Sequence, residues 1–207
     1  MVKKESANEI WEGNKKKHLS KNPLLKFLLR KFNRDVVNLL KSQNPKTLLD
    51  VGCGEGFTTR EIASSLSDSQ IVGVDIEKEF IEYARKYSAR PNITYQMEDL
   101  FAMPNTTSPQ YACVMANELL EHLPDVRSAL ELFCRLSKRL VLISVPNEPW
   151  FRIANFLRGK YIKNLGNTPG HINHWTKPEL IRLLSGYGRI ITAKTSTFWN
   201  IVIFERG

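Results

Sequence analysis

The chain has 207 residues, of which 42% are hydrophobic and 25% charged, and its formal net charge is +9 at pH 7. This composition is typical of a soluble globular domain and excludes disulfide-stapled scaffolds and disordered chains. No apolar run approaches the roughly 20 residues of a transmembrane helix, and no signal-peptide core follows the first lysines. The three cysteines, Cys53, Cys113 and Cys134, are too scattered for a disulfide framework or a zinc cluster, so we expect small buried thiols in a reducing cytoplasm.

Most of the positive charge lies near the N-terminus. Residues 1–46 contain twelve Lys or Arg against four Asp or Glu, whereas the rest of the chain is almost neutral. Such a segment predicts an anionic partner, either a membrane surface or nucleic acid. We expect residues 1–45 to form a basic arm followed by a helix. That helix begins at Pro23 and shows apolar residues at three- and four-residue spacing to about Ser42.

From residue 46 onward, short apolar strands alternate with helices. Strands are predicted at 47–51, 71–74, 93–97, 111–116 and 140–145, and helices at 58–66, 78–87, from 119, and at 126–137. This alternation predicts an α/β, Rossmann-like, doubly wound fold with a mostly parallel sheet covered on both faces. Two last segments, 190–196 and 198–204, flank a short break. We expect them to complete a seven-stranded sheet as a C-terminal antiparallel hairpin.

Residues 146–178, which we call the late insertion, interrupt the alternation with several prolines and glycines. The late insertion contains one amphipathic piece, 150–157, and is followed by a helix predicted at 177–185. Open α/β sheets bind ligands beyond the carboxyl ends of their strands, and structureless insertions of this length are usually functional. The pattern therefore predicts a lid or substrate-binding insertion.

The strongest functional signal is a glycine-rich loop after the first strand, LLDVGCGEG. Gly52 and Gly54 permit a sharp turn and let a ligand approach the backbone. A nicotinamide dinucleotide site would also place an acid about 20 residues further on, as Asp75 does. However, Phe57 stands where the dinucleotide fingerprint has its last glycine. The Asp50 carboxylate would repel a pyrophosphate but could hold a cationic ligand.

Four motifs in this order resemble those of the class I S-adenosylmethionine (SAM)-dependent methyltransferases. They are LLDVGCGEG, IVGVDIEKEFIEYAR, YQMEDL and YACVMANELLEHLPD. The resemblance covers residues 46–207 and implies a SAM-binding methyltransferase domain over that range. The ubiquinone-biosynthesis O-methyltransferases are similar in having a Glu-x-x-Glu-His sequence and a histidine in the late insertion.

The resemblance implies a role for each motif residue at the methionine and ribose parts of SAM. Gly52 and Gly54 would pass under the methionine part. Asp50 would orient this loop and help to hold the ammonium group. Asp75 would accept hydrogen bonds from both ribose hydroxyls, and Ile76 would pack on the adenine.

Three further residues complete the implied cofactor site. Asp99 would accept a hydrogen bond from the adenine amino group, and Leu100 would give its backbone N–H to a ring nitrogen. Asn117, at the end of the fourth strand, would line the floor near the sulfonium.

The fourth motif also bears on catalysis. Glu118, Glu121 and His122 have the i, i+3, i+4 spacing that shares one face of a helix, and His171 and His174 lie in the late insertion. In a metal-free enzyme, His122, His171 or His174 would act as general base. Purely structural histidines are a further interpretation.

A second resemblance implies a metal. The small-RNA 2′-O-methyltransferases bind a divalent metal with Glu, Glu, His and a later His four residues before Trp-Thr, and His171 has this spacing to Trp175. Glu118, Glu121, His122 and His171 would then be the ligands, and their oxygen and nitrogen atoms suit magnesium, manganese or zinc. Such a metal would lower the pKa of a hydroxyl acceptor and orient it.

The basic amphipathic segments 24–36 and 150–158 are typical of membrane-surface helices, although both could instead pack on the core with solvated basic faces. We expect a cytoplasmic enzyme that O-methylates a small molecule or lipid-type acceptor, with peripheral contact to an anionic membrane. RNA is the alternative partner for the same basic residues, but no recognition module of aromatic and basic residues surrounds them. The alternatives are a metal-assisted RNA 2′-O-methyltransferase and a SAM-binding protein without transfer activity.

Overall fold

The structure, a computed structural model, describes residues 15, 17–99, 101–102, 109–159 and 161–207. The strands are β1 (Thr47–Val51), β2 (Gln70–Asp75), β3 (Ile93–Met97), β4 (Tyr111–Asn117), β5 (Ser137–Pro146), β6 (Gly188–Ser196) and β7 (Trp199–Arg206). The helices are α1 (Pro23–Gln43), α2 (Phe57–Ser65), α3 (Lys78–Tyr87), α4 (Val126–Leu136), α5 (Trp150–Leu157) and α6 (Lys177–Ser185), with short 3-10 turns at Leu120–His122 and Ile162–Asn164.

The seven strands form one sheet in the order β3-β2-β1-β4-β5-β7-β6. The first five strands pair in parallel, and β7 runs antiparallel between β5 and β6. The predicted doubly wound fold with its C-terminal hairpin is confirmed. The strands begin and end within two residues of the predicted positions, except that β5 begins at Ser137. Lys138 and Arg139 are exposed there, so the apolar pattern becomes visible only at Leu140.

Alternate residues of the central strands pack into hydrophobic cores on opposite faces of the sheet. The core formed with α1 and α2 contains Leu48 of β1 and Ile203 of β7. The core formed with α4 and α6 contains their neighbours, Leu49 and Phe204. Because both faces are covered, the central strands are apolar on both sides, which explains their continuous apolar sequences.

The helix α1 is part of the first core. The Asn22 side chain caps its start by accepting from the backbone N–H groups of Leu24 and Leu25, at 2.9 and 3.2 Å. Its buried Asp35 accepts hydrogen bonds from Lys31, at 2.8 Å, and from Lys194 of β6, at 2.6 Å. The ion pair between Lys194 and Asp35 joins α1 to β6 at the edge of the sheet. The expected boundary between a basic segment 1–45 and the domain 46–207 stays a prediction.

The prediction of a helix that begins at Leu119 is wrong, because the chain forms a single 3-10 turn there. Glu118 adopts a left-handed conformation with φ 51°, which separates the turn from β4. Leu123, which precedes Pro124, is extended because a proline disfavours the helical conformation of the residue before it. Glu118 therefore does not share a helix face with Glu121 and His122.

The late insertion is closed at its base. Asn147 and Trp175 form an isolated parallel bridge, and the Asn147 N–H donates to the carbonyl of Phe198 at 2.8 Å. Inside the loop, the buried Asn155 side chain of α5 donates to the Gly166 carbonyl at 3.1 Å. None of the described helices combines the length and apolarity that crossing a membrane requires.

The predicted buried thiol is confirmed for Cys113, whereas Cys53 and Cys134 are half-buried. All three cysteines are free. Burial raises the pKa of Cys113 to about 12 and that of Cys134 to about 11, so neither thiol is activated at neutral pH.

Candidate active site

A cavity of about 650 Å³ opens at the carboxyl ends of β1 and β4. Its wall is formed by the glycine loop, the end of β4, the helices α1 and α5, the late insertion, and residues 17, 18 and 20. This volume is in the range of small-molecule sites in proteins, and the position is where open α/β sheets bind ligands. We call the wall around Gly52 and Gly54 the glycine-loop side, and the wall around His122 and His171 the histidine side.

On the glycine-loop side, backbone hydrogen bonds fix the path of the chain. The N–H groups of Gly52 and Cys53 both donate to the carbonyl of Val74 in β2, at 2.8 and 3.0 Å. Gly52 and Gly54 have φ values of 70° and 53°, in the left-handed region that favours glycine. A Cβ on Gly54 would meet no atom within 4 Å, so the loop presents open space to a ligand.

Two carboxylates lie next to this loop, near the ends of β1 and β2. The Asp75 side chain accepts from the backbone N–H of Gly54 at 2.8 Å and from that of Glu77 at 3.1 Å. The buried Asp50 lines the cavity and accepts from the Thr59 hydroxyl at 2.6 Å. Burial raises the pKa of both carboxyls, that of Asp50 to about 7. The orienting role expected of Asp50 is compatible with this contact to α2.

The other predicted cofactor residues lie at neighbouring strand ends. Ile76 is exposed directly after β2. Asp99, two residues after β3, accepts from the Phe101 N–H at 2.9 Å in a turn. Leu100 lies outside the described residues. Asn117 lines the cavity floor. Its Oδ1 accepts from the Ser144 hydroxyl at 2.9 Å, and its buried Nδ2 has no partner among the described residues.

On the histidine side, two segments far apart in the chain are joined. The Asn173 side chain donates to the carbonyls of Leu120 and Leu123, at 3.2 and 2.7 Å. The backbone N–H of Asn173 also donates to the Glu121 carbonyl at 3.1 Å. These bonds hold the late insertion against the 3-10 turn and bring His171 beside it.

As a result, Glu121, His122 and His171 come together, with one ligand atom of each within 4.8 Å of the others. Glu121 is buried, and neither of its carboxylate oxygens has a hydrogen-bond partner among the described residues. Burial, and then the nearby Glu118, raises the pKa of Glu121 well above its usual value. Partial burial, and then His122, lowers the pKa of His171 to about 3, so its imidazole is neutral.

The remaining candidates, His174 and Glu118, are not members of this cluster. His174 is not part of the cavity wall, and its Nε2 is 2.7 Å from the Asn167 Oδ1. Glu118 lines the cavity, but its Oε2 accepts from the Lys17 ammonium group. Burial opposes ionisation of Glu118, yet Lys17 outweighs it and lowers the pKa of the carboxyl.

The contribution of Lys17, His18 and Ser20 to the cavity wall was not predicted from the sequence. Lys17 lies over the Trp199 ring, 5.5 Å from its centroid, and the His18 ring stacks on Phe57 at 4.4 Å. Lys17 is one of several lysines in a polar segment, so no local pattern distinguishes it. Trp199 follows the break in the C-terminal hairpin. Its position in the cavity depends on how β7 pairs with the other strands.

Most of the chain matches a known protein family. The family model for a methyltransferase domain matches residues 24–191. The ubiquinone biosynthesis O-methyltransferase of Aeromonas salmonicida is 26% identical over 153 residues, covering 70% of this chain and 63% of that protein. The malonyl-[acyl-carrier protein] O-methyltransferase of Halalkalibacterium halodurans is 31% identical over 103 residues, covering 45% and 38%. The chain thus spans less than two thirds of the length of these curated relatives.

Among solved structures, the magnesium protoporphyrin IX methyltransferase of Synechocystis PCC 6803, with bound S-adenosylhomocysteine (SAH), has the same fold. It superimposes with a TM-score of 0.74 over 98% of this chain and 95% of that chain, at 16% identity. Together with the family match, this fold confirms what the four motifs predicted. The chain belongs to the class I SAM-dependent methyltransferases.

Proposed function

We propose that the protein transfers a methyl group from SAM to an oxygen atom of a small-molecule or lipid-type acceptor. The observation that carries the proposal is the shared cavity, which the glycine loop and Asn117 line together with His122 and His171. The cavity wall also contains apolar residues: Leu25, Leu28, Leu29, Phe32, Phe151, Phe198 and Trp199. Such a wall suits an acceptor with a ring or a hydrocarbon part. The curated relatives named above are O-methyltransferases, which also supports oxygen as the target.

The residues present fit SAM. The open space above Gly54 admits a ligand against the backbone, and the unpaired amide of Asn117 offers a donor at the cavity floor. Asp75 keeps free lone pairs on its carboxylate, although it already accepts two backbone N–H bonds. SAM supplies a methyl group on a positively charged sulfur. The chain contributes mainly by holding the two reactants in line and by excluding water with the late insertion.

We further propose that Glu121, His122 and His171 hold a divalent metal that lowers the pKa of the acceptor hydroxyl. Two unpaired carboxylate oxygens beside two imidazoles form a donor set that suits zinc, manganese or magnesium. Glu118 would join this set if it exchanged Lys17 for the metal. The competing interpretation is that His171 acts without metal as general base, taking the acceptor proton on its neutral imidazole.

A turnover assay with radiolabelled SAM tests these proposals. Quinols, prenyl lipids, sugars and RNA are offered separately, with and without EDTA. We expect a methylated hydroxyl in a quinol or lipid pool, loss of turnover with EDTA, and the same loss in Glu121→Gln. His174→Ala is the matched control because His174 is not part of the cluster of Glu121, His122 and His171, and it should retain activity.

The other outcomes distinguish the alternatives. EDTA-resistant turnover that is lost in His171→Ala would favour the general base over the metal. Methylated RNA would support a metal-assisted RNA 2′-O-methyltransferase. Binding of SAM with no product in any pool would contradict the proposed activity and leave a SAM-binding protein.

We also propose that the enzyme meets its acceptor at an anionic membrane. Trp150 and Leu157 of α5 are 60% and 79% exposed, Arg152 lies on the same helix, and Arg158 follows its last residue. This helix also lines the cavity, so an acceptor that leaves the bilayer there would enter directly. Exposed apolar and basic residues on one element are typical of membrane-surface helices.

Cosedimentation with phosphatidylglycerol vesicles checks the membrane proposal, with phosphatidylcholine vesicles for comparison. We expect binding to the anionic vesicles and a clear loss in the double variant Trp150→Ser, Leu157→Ser. Tyr87→Ser is the control, because Tyr87 is an exposed aromatic residue on α3. Equal binding by all three proteins would contradict a role of α5. Failure to bind vesicles, together with salt-sensitive binding to RNA, would favour an RNA acceptor.

A further inference from the structure

A second cavity lies between the helices α1 and α2, and we call it the basic groove. Its volume is about 540 Å³, and no described residue lines both the groove and the active-site cavity. Five of its lining residues are cations: Arg30, Arg34 and Lys41 of α1, Arg60 of α2, and Arg90 between α3 and β3.

The positive charge of the basic groove is not neutralised within the described part of the chain. Glu61 is the single acidic residue among the described residues of its wall. None of the five cations forms an ion pair with a described carboxylate. Arg30 and Arg34 are four positions apart on α1, a spacing at which like charges repel. Since cations gathered in a concave site raise the local concentration of anions, the groove has the electrostatics of an anion-binding site.

Hydrogen bonds hold two of the arginines in place on the α2 wall of the groove. The Nε of Arg90 donates to the Ser64 hydroxyl at 3.0 Å, and that hydroxyl donates to the Arg60 carbonyl at 2.9 Å. The Nη1 of Arg60 donates to the Tyr87 carbonyl at 3.2 Å. A guanidinium has five N–H donors, so both arginines keep donors for a ligand.

The α1 wall of the groove is different, because its cations are free to turn towards a ligand. The side chains of Arg30, Arg34 and Lys41 make no hydrogen bond with the described residues, and all three are exposed. Along α1, the eleven residues from Arg30 to Lys41 extend over about 16 Å. A single phosphate group cannot contact cations so far apart, whereas a row of phosphate groups can.

The kinds of side chain in the groove also limit its ligand. Four of the five cations are arginines, whose planar guanidinium binds phosphate oxygens through two parallel hydrogen bonds. Val37 is the only apolar residue among the described residues of the wall, and none of them is aromatic. The groove thus offers little to a hydrocarbon chain and no ring on which a base could stack.

We propose that the basic groove binds a small, water-soluble anion with two or more linked phosphate groups, a class that includes polyphosphates and nucleotides. Arg60 and Arg90 bind one phosphate group from the α2 wall. Arg30 and Arg34 bind the ligand from the α1 wall. Because the groove and the active-site cavity share no described residue, the inference does not depend on the proposed function.

Calorimetry with tripolyphosphate at about 0.15 M ionic strength tests the proposal, with citrate as the tricarboxylate for comparison. The unmodified protein should bind tripolyphosphate more tightly than citrate. Arg34→Gln should weaken tripolyphosphate binding roughly 10-fold, as expected for the loss of a charged hydrogen bond. Arg135→Gln is the matched control, because Arg135 is an exposed arginine of α4, on the other face of the sheet. Its affinity should stay within about twofold, since salt screens a distant charge.

Arg34→Lys provides a second variant. It keeps the charge but loses the paired donors of the guanidinium, so its affinity should lie between those of the unmodified protein and Arg34→Gln. Tripolyphosphate binding that is no tighter than citrate binding would overturn the proposal. Equal weakening by Arg34→Gln and Arg135→Gln would overturn it as well.

Phosphatidylglycerol vesicles distinguish a free anion from a lipid headgroup. If the protein bound these vesicles through Arg34 but did not bind tripolyphosphate, the ligand would be a headgroup and the proposed free anion would be wrong. Tripolyphosphate binding that is unchanged in Trp150→Ser, Leu157→Ser would support a site separate from α5. Methyl transfer is not measured, so failure of the proposed function would leave these results unaffected.

Discussion

The glycine-loop side of the cavity is formed by consecutive strand ends, whereas the histidine side joins segments far apart in the chain. On the first side, the backbone of β2 and the Asp75 carboxylate fix the loop directly. On the second, a single side chain, Asn173, makes two of the bonds that hold the late insertion against the 3-10 turn. Changes on the first side should therefore disturb folding and cofactor binding together. Changes on the second should leave cofactor affinity intact.

The largest effect is expected for Gly52→Ala. Its φ of 70° is unfavourable for alanine, and the new Cβ would lie 3.0 Å from the Leu119 side chain. We expect a loss of about 2–3 kcal/mol in the free energy of unfolding and a clear loss of SAH affinity. Gly159→Ala is the control, because Gly159 has a φ of 69° but its Cβ would meet no atom within 4 Å. Denaturant unfolding and calorimetry measure both quantities, and equal losses in the two variants would contradict the crowding by Leu119.

Asp75→Ala should weaken cofactor binding and the fold together. The variant leaves the N–H groups of Gly54 and Glu77 without their acceptor and removes the expected partner of the ribose hydroxyls. We expect SAM and SAH affinity to fall by about 1–3 kcal/mol, measured by calorimetry. Asp68→Ala, an exposed acid in a loop, should bind normally. Unchanged SAH affinity, or binding of NAD instead, would argue against the ribose role.

Asp35→Asn tests how firmly α1 is attached to the sheet. Burial opposes ionisation of Asp35, but Lys194 and Lys31 outweigh it and lower the pKa to about 2, below the usual 3.8. Because the folded-state pKa is depressed, the carboxylate stabilises the fold fully above about pH 4, and this contribution declines as the pH falls towards 2. At pH 7 we expect Asp35→Asn to lower the free energy of unfolding by about 1–2 kcal/mol. The effect is no larger because solvent screens the partly exposed lysines.

Unfolding curves at pH 7 and at pH 3 check this prediction. The difference in the free energy of unfolding between Asp35→Asn and the unmodified protein should be smaller at the lower pH. A difference that stays constant over this range would show that the ion pair is not its source.

The smallest effect is expected for Asn155→Ala, on the histidine side. The buried amide of Asn155 donates to the Gly166 carbonyl and, at 3.3 Å, to the Thr168 hydroxyl. Its removal should cost about 1 kcal/mol and speed amide hydrogen exchange around residues 166–171, with SAH affinity unchanged. Asn38→Ala, an exposed residue of α1, should leave this exchange unaltered. A parallel loss of SAH affinity would contradict the independence of the two sides.

The two sides also differ in how far the sequence predicts them. The strands and the glycine loop follow from contiguous residues, because apolar runs and left-handed glycines have local causes. The predicted helix from Leu119 failed because the left-handed Glu118 and the extended Leu123 interrupt it, although its residues fit helical spacing. The contact of Lys17 with Glu118 joins residues that are 101 positions apart in the sequence, and no pattern around Lys17 predicts it.

His171 and His174 show the same limit within one short segment. The sequence around them made both histidines candidates for the general base. However, only His171 lines the cavity. The hydrogen bonds of Asn173 to the turn decide which histidine faces inward. These bonds depend on tertiary packing between β4 and the late insertion, so spacing alone could not distinguish the two residues.

The place of β7 in the sheet has a consequence for synthesis on the ribosome. The strand lies between β5 and β6 and forms seven residue pairs with β5, from Leu140 with Glu205 to Pro146 with Trp199. Until residues 199–206 have left the exit tunnel, one edge of the apolar β5 has no partner. An unpaired apolar edge is a site of aggregation, and chains emerge slowly compared with local folding. Ribosome-bound chains that end before β7 should therefore depend on chaperones that cover exposed strands.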